Sequence, residues 1–118
     1  MDGEEIRIEG RREGATTVVC IGGRLDALSS TGAAEFLEET IRDGARWIVL
    51  DLSHLTYTSS SGLRAMLGAL KEIRKHGGDL RIAAPIPSVR QVLDIAGFDR
   101  IIVITDTVEG AIRASENP

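Results

Sequence analysis

A chain of 118 residues, 42% of them hydrophobic, has room for one compact core and not for two. Its net charge of −4 argues against nucleic acid as the main partner, because phosphate binding needs a basic field. Aromatics make up only 3% (Phe36, Trp47, Tyr57 and Phe98), so the core is aliphatic and no platform for stacking bases is present. Cys20 is the only cysteine, so no intramolecular disulfide is expected and a reducing, cytoplasmic setting fits best. The opening Met1-Asp2-Gly3-Glu4-Glu5 lacks the basic segment and apolar core of a signal peptide, and no apolar run approaches a membrane span.

The predicted elements run as follows. Glu4 to Arg11 alternates charge with Ile6 and Ile8 and predicts an edge strand. Gly14 marks a turn, and the β-branched run from Thr16 to Ile21 predicts a second strand in a hairpin with the first. Gly22-Gly23-Arg24-Leu25-Asp26 reads as a loop. Ser29 or Ser30 is placed to cap a helix whose Ala33, Phe36, Leu37, Thr40 and Ile41 share a face, and Gly44 stops it. Trp47 to Leu52 is nearly all apolar, the pattern of a strand covered on both faces.

Tyr57-Thr58-Ser59-Ser60-Ser61-Gly62 then leads into a second helix over about Ser60 to Lys75. There Leu63, Met66, Leu67, Leu70 and Ile73 fall at helical spacing, with Arg64, Lys71, Arg74 and Lys75 on the wet side. Gly68 inside it costs about 1 kcal/mol relative to alanine unless close packing needs the missing side chain. Leu80 to Ala84 predicts a strand. Pro87 opens a helix with Val89, Val92, Leu93 and Ala96 on one face, ended by Gly97. Ile101 to Ile104 predicts a last strand, and Asp106 with Glu109 resembles a capping box for a last helix, with Ala114 to Pro118 fraying. Alternating strands and helices after a hairpin predict a single α/β domain over 1–118, with its core at about 5–114. The expected sheet is mixed, mostly parallel and of about five strands, packed with about four helices.

Most enzyme signatures are missing. There is no G-x-x-x-x-G-K-[ST] run, and Gly22-Gly23 lacks the G-x-G-x-x-G spacing. His54 and His76 belong to no Cys/His cluster, so neither metal nor cofactor is indicated. Thr58-Ser59-Ser60-Ser61-Gly62 lacks the leading glycine of a G-x-S-x-G nucleophile elbow, and His54 is the only nearby base, with Asp51 as its only orienting candidate. No catalytic residue is assigned. Taken alone, the three serines are a polar turn and a helix cap, but a helix N-terminus also tolerates an added phosphate.

Three segments together carry a resemblance. They are Val18-Val19-Cys20-Ile21-Gly22-Gly23-Arg24-Leu25-Asp26; Ile48-Val49-Leu50-Asp51-Leu52-Ser53 with Tyr57-Thr58-Ser59-Ser60-Ser61-Gly62-Leu63-Arg64; and Leu80-Arg81-Ile82 with Pro87 to Phe98. In order and spacing, over about residues 5 to 114, they resemble the STAS family, in particular the bacterial anti-sigma factor antagonists. The first resembles the family's apolar strand followed by G-x-L-D, and the second its D-L-S strand and D/S-S-S/A-G-L signature.

The resemblance implies a non-enzymatic switch. An unphosphorylated antagonist binds an anti-sigma factor that is also a serine kinase and so frees a sigma factor; phosphorylation weakens the complex, and a serine phosphatase resets it. Aligned on Gly62, the acceptor is Ser60. Many antagonists carry Asp just before the acceptor where this chain has Ser59, which leaves Ser59 and Ser61 as alternative acceptors. The resemblance implies a partner-binding surface of Asp26, Ser59, Ser60, Ser61, Gly62, Leu63 and Arg64. Gly62 would let a partner or the chain's own backbone come close, Leu63 would anchor the helix to the sheet, and Arg64 would meet a partner or a phosphate. Two other readings share the fold: an accessory STAS subunit of a lipid or solute transport ATPase, and a stress-signalling scaffold component. A small nucleotide-binding or hydrolytic α/β enzyme is the rival from another class.

Overall fold

The structure is a computed structural model that describes residues 6–116. Gly14, at φ +64°, folds strand β1 (Arg7–Glu13) back on β2 (Thr16–Leu25) in an antiparallel hairpin with Arg7 opposite Gly22 and Glu13 opposite Thr16. There follow α1 (Ser29–Arg42), β3 (Trp47–Asp51), β4 (Leu55–Thr58), α2 (Ser60–Lys75), β5 (Asp79–Ala83), α3 (Pro87–Ile95), a 3-10 turn (Phe98–Arg100), β6 (Ile104–Thr105) and α4 (Val108–Glu116). The sheet runs β1-β2-β3-β5-β6, parallel from β2 onward, with β4 paired to the far end of β2.

The strand order explains the layers. Successive crossovers step the same way, β2 to β3 to β5 to β6, and crossovers of one hand lay their helices on one face. Ala33, Leu37 and Ile41 of α1, Met66, Leu70 and Ile73 of α2, and Val89 and Leu93 of α3 accordingly share one aliphatic cluster with Val19, Ile21, Ile48, Leu50, Leu80 and Ile82. The helix α4 has no crossover to make and covers the other face, where Ala111 meets Val18, Val49 and Ala83. Ile48, Val49 and Leu50 are fully buried, as a strand covered on both faces requires.

Several local expectations are corrected. The Gly22 to Asp26 stretch is not a loop: β2 continues to Leu25, because β4, which the sequence did not reveal, hydrogen-bonds alongside it with an irregularity between Gly23 and Arg24. The sheet therefore has six strands. Neither Ser29 nor Ser30 caps α1; Asp26 supplies the capping oxygen, its Oδ1 accepting the Leu28 and Ser29 N–H groups. The last strand is Ile104–Thr105 rather than Ile101 to Ile104, since pairing to Ile82 and Ala83 fixes it there and leaves Ile101 and Val103 exposed. Thr107, not Asp106, caps α4, its hydroxyl accepting the Gly110 N–H at 2.9 Å. Helix α4 extends to Glu116, with Ser115 buried, so Ala114 to Glu116 is ordered helix. The expected strand start at Glu4 and the fraying of Asn117 and Pro118 lie outside the described residues.

Candidate functional site

The carboxyl end of β2 and the start of α2 are tied together. In register, Arg24 faces Tyr57 and Leu25 faces Thr58, and the Ser59 N–H donates to the Leu25 carbonyl at 2.7 Å. One residue beyond each end of that bond lie Asp26 and Ser60, so the G-x-L-D turn and the serine run are neighbours. The short strand β4 makes them so, by carrying the chain from β3 to the end of β2.

The three serines differ in what their hydroxyls do. Ser59 is the N-cap of α2, extended at φ −89° and ψ 176°, and its Oγ accepts the Gly62 N–H at 3.3 Å. Ser61 Oγ accepts from Arg64 Nη2 at 3.3 Å. Ser60, the first residue of α2, is exposed, and its hydroxyl has no hydrogen-bond partner among the described residues. The expected cap and the expected acceptor are thus adjacent, separate serines.

Gly62 faces inward and is buried. A Cβ there would lie against Thr58 Oγ1 and within 2.9 Å of Leu25 Cβ, so the helix approaches β2 through a surface only glycine provides. Of the two roles expected of it, this is the approach of the chain's own backbone. Leu63 is partly buried and packs against the aliphatic cluster, the anchoring expected of it. Arg64 is exposed.

Asp26 is the centre of a braced turn. Its Oδ1 accepts the Leu28 N–H at 3.1 Å, the Ser29 N–H at 2.9 Å and the Ser29 hydroxyl at 3.0 Å. Its own N–H donates to Ser29 Oγ at 3.0 Å, and its carbonyl accepts the Ser30 hydroxyl at 2.6 Å. The Ser29 N–H, followed by the Ser29 hydroxyl and the Leu28 N–H, holds the Asp26 carboxyl below the ordinary carboxylate range. The turn is therefore ionised and closed at neutral pH.

Three surface residues here were not singled out from sequence. The Arg24 guanidinium lies 4.1 Å from the Tyr57 ring centroid, a cation–π stack. Leu28 stands 87% exposed at the start of α1. An apolar residue between Ala27 and Ser29 gave no periodic signal at all.

Other chemical groups lie apart from this site. His54 Nδ1 sits 3.1 Å from Ser53 Oγ, and His76 Nε2 sits 3.2 Å from Glu72 Oε2. The Cys20 thiol is pushed up by burial and then by the Asp51 charge, to which Sγ donates at 3.5 Å. An open cleft of about 530 Å³ between α1 and α2, with Arg42, Arg64, Gly68 and Glu72 among its lining, contains no serine, threonine or cysteine. No helix among the described residues is long and apolar enough to cross a membrane.

Comparison with known proteins gives a consistent result. A family model described as the STAS domain matches residues 7–111. BtrV of Bordetella bronchiseptica, provisionally named an anti-sigma factor antagonist, is 33% identical over 97 residues, covering 82% of this chain and 84% of that protein. The anti-sigma F factor antagonist of Paenibacillus polymyxa is 31% identical over 112 residues, covering 94% of this chain and 96% of that protein. Among solved structures, the Bacillus cell fate determinant SpoIIAA in its phosphorylated form superposes with a TM-score of 0.71 at 24% identity, over 93% of this chain and 98% of that one.

Proposed function

The chain belongs to the STAS domain family, and from that membership we propose that it is a cytoplasmic anti-sigma factor antagonist, a binding protein and not an enzyme, switched by phosphorylation of Ser60. Unphosphorylated, it docks on an anti-sigma factor that is also a serine kinase and frees the sigma factor; phosphorylated, it lets go until a serine phosphatase resets it. The names of its relatives support the antagonist role, and SpoIIAA, a solved neighbour, exists in a phosphorylated form.

The observation that carries the reading is the division of labour among the serines. Ser59 holds the helix end and Ser61 is engaged by Arg64, while Ser60 alone of the three presents an exposed hydroxyl without a partner among the described residues. A phosphate there adds about −1.5 to −2 charge at neutral pH. At the N-terminus of α2 that charge is offset by roughly 0.3–1 kcal/mol, so the domain tolerates it. Against a docked protein surface it must be desolvated, and a penalty of about 3 kcal/mol weakens association more than a hundredfold.

The relatives, which are named as anti-sigma factor antagonists and so as regulatory binding proteins, support the non-enzymatic reading.

The test is phosphorylation in vitro. The purified chain is incubated with ATP and, one at a time, each kinase-type anti-sigma factor of the source organism, and the product is mapped by mass spectrometry. One phosphate on Ser60, abolished in Ser60→Ala, is the expected result. Phosphate on Ser59 or Ser61 in the Ser60→Ala protein, or transfer by no kinase of the set, would refute the assignment.

A further inference from the structure

Leu28 has no role inside its own fold. At 87% exposure it is the most exposed of the large apolar side chains among the described residues. Its backbone is already helical at φ −77° and ψ −48°, and the capping oxygen of α1 comes from Asp26, so the Leu28 side chain takes no part in the cap. A large apolar side chain left in solvent contributes no burial to its own domain and is free to be buried against another.

The turn beneath it is nonetheless rigid. Asp26 Oδ1 takes three hydrogen bonds, one of them from the Leu28 N–H itself, and the Ser29 hydroxyl donates to the Arg24 carbonyl at 2.7 Å. The backbone that carries the side chain is thus held in a turn closed on Arg24, whose guanidinium stacks on Tyr57, and the neighbouring Leu25 bonds Ser59, which precedes Ser60. A rigid, solvent-facing apolar residue beside a stacked aromatic is the anatomy of a binding hot spot, because little conformational freedom is lost when a partner covers it.

Building on the antagonist reading above, we infer that Leu28 is the apolar anchor that enters a pocket on the anti-sigma factor, and that Asp26 acts as a positioning residue that holds Leu28 out rather than as a charge touching the partner. The occupant of this surface is a protein with an apolar pocket rimmed by groups that accept the Arg24–Tyr57 stack. Its pocket sits close enough to Ser60 that a phosphate there falls within the same contact.

The experiment measures affinity by calorimetry for each purified kinase-type anti-sigma factor of the source organism, using the full chain and four variants. Leu28→Ser is expected to weaken binding by about 10- to 100-fold, the range set by losing one buried leucine. Its thermal stability is expected to equal the parent's, since the side chain it removes is exposed and makes no cap. Ile95→Ser removes an apolar side chain that is 80% exposed on α3 and is expected to leave affinity unchanged. Asp26→Asn keeps an acceptor oxygen for the Leu28 and Ser29 donors and is expected to bind like the parent, whereas Asp26→Ala is expected to lose about as much as Leu28→Ser. Unchanged affinity in Leu28→Ser, or an equal loss in Ile95→Ser, overturns the anchor. Equal losses in Asp26→Asn and Asp26→Ala overturn the positioning role in favour of direct charge contact. Failure of the parent chain to bind any member of the set overturns the antagonist reading, and the anchor with it.

Discussion

Two glycines on the same helix should respond with opposite sign to the same substitution. Gly62 and Gly68 both lie in α2, and each replacement by alanine adds one methyl and restricts the unfolded chain. At Gly68 a Cβ meets nothing within 4 Å, so only the favourable terms act, and Gly68→Ala should stabilise by about 0.5–1 kcal/mol. At Gly62 the Cβ would lie against Thr58 Oγ1, within 2.9 Å of Leu25 Cβ and 3.3 Å of Leu25 Cδ1. Leu25 is fully buried and cannot withdraw, and turning Thr58 away breaks its 3.1 Å bond to the Ser59 carbonyl. Overpacking of this kind costs about 1–3 kcal/mol, and the lost hydrogen bond adds about 1 kcal/mol. Against a propensity gain reduced by the position in the first turn, Gly62→Ala should destabilise by about 1–3 kcal/mol. Urea unfolding followed by circular dichroism reads both, as a shift in midpoint at constant slope. A Gly62→Ala protein as stable as the parent would refute the close approach of α2 to β2, and a destabilised Gly68→Ala would show that the cleft above it is filled.

Three further outcomes are expected. Ser59→Ala removes the side-chain cap of α2 and should cost about 0.5–1 kcal/mol in the same assay, the lower part of the range for caps because the bond is long at 3.3 Å. Ala84, at φ +58°, sits in left-handed backbone after β5; Ala84→Gly should be between neutral and about 1 kcal/mol more stable, while Ala84→Val should lose at least about 1 kcal/mol. The Asp26 carboxyl, followed by carbon NMR, should titrate below its ordinary value of 3.8 and rise toward it in Ser29→Ala. Because the folded value is the lower one, the contribution of Asp26 to stability is complete above the ordinary carboxylate range. It is lost as pH falls through the folded value, so the turn should stay closed from neutrality down to pH 5.

What the sequence revealed and what it hid follow from periodicity. Helix α2 was legible to its first residue, because Leu63, Met66, Leu70 and Ile73 repeat at helical spacing and a run of serines precedes them. Strand β3 was legible because Ile48, Val49 and Leu50 need cover on both sides. Strand β4 was not, since four residues with Thr56 and Tyr57 exposed carry no apolar stripe and its existence depends on pairing with β2 far away in sequence. The same pairing explains why Gly22-Gly23 misled: glycines that punctuate most chains are here inside a strand, with Gly22 closely facing His54. Within the candidate site, Asp26 and Ser60 are singled out by the motifs they sit in, whereas their adjacency depends on β4 and the distinct engagements of Ser59 and Ser61 depend on side-chain geometry.

On the proposed reading, in which Ser60 is phosphorylated, the position of the site accounts for a charge that would switch binding while the fold persists. The core is made of aliphatic side chains at 0–2% exposure on strands β2, β3 and β5, and Ser60 is attached to it only through the backbone of a helix start. The residues that fix that start, Ser59 through its cap and Gly62 through its contact with Leu25, bear none of the added charge. Phosphate on Ser60 therefore acts on solvent and on whatever covers the surface, and has no buried group to displace. A serine one position earlier would have exchanged its cap for the phosphate, and one position later would have competed with Arg64. Ser60 is the serine of the run whose hydroxyl takes part in neither of these interactions.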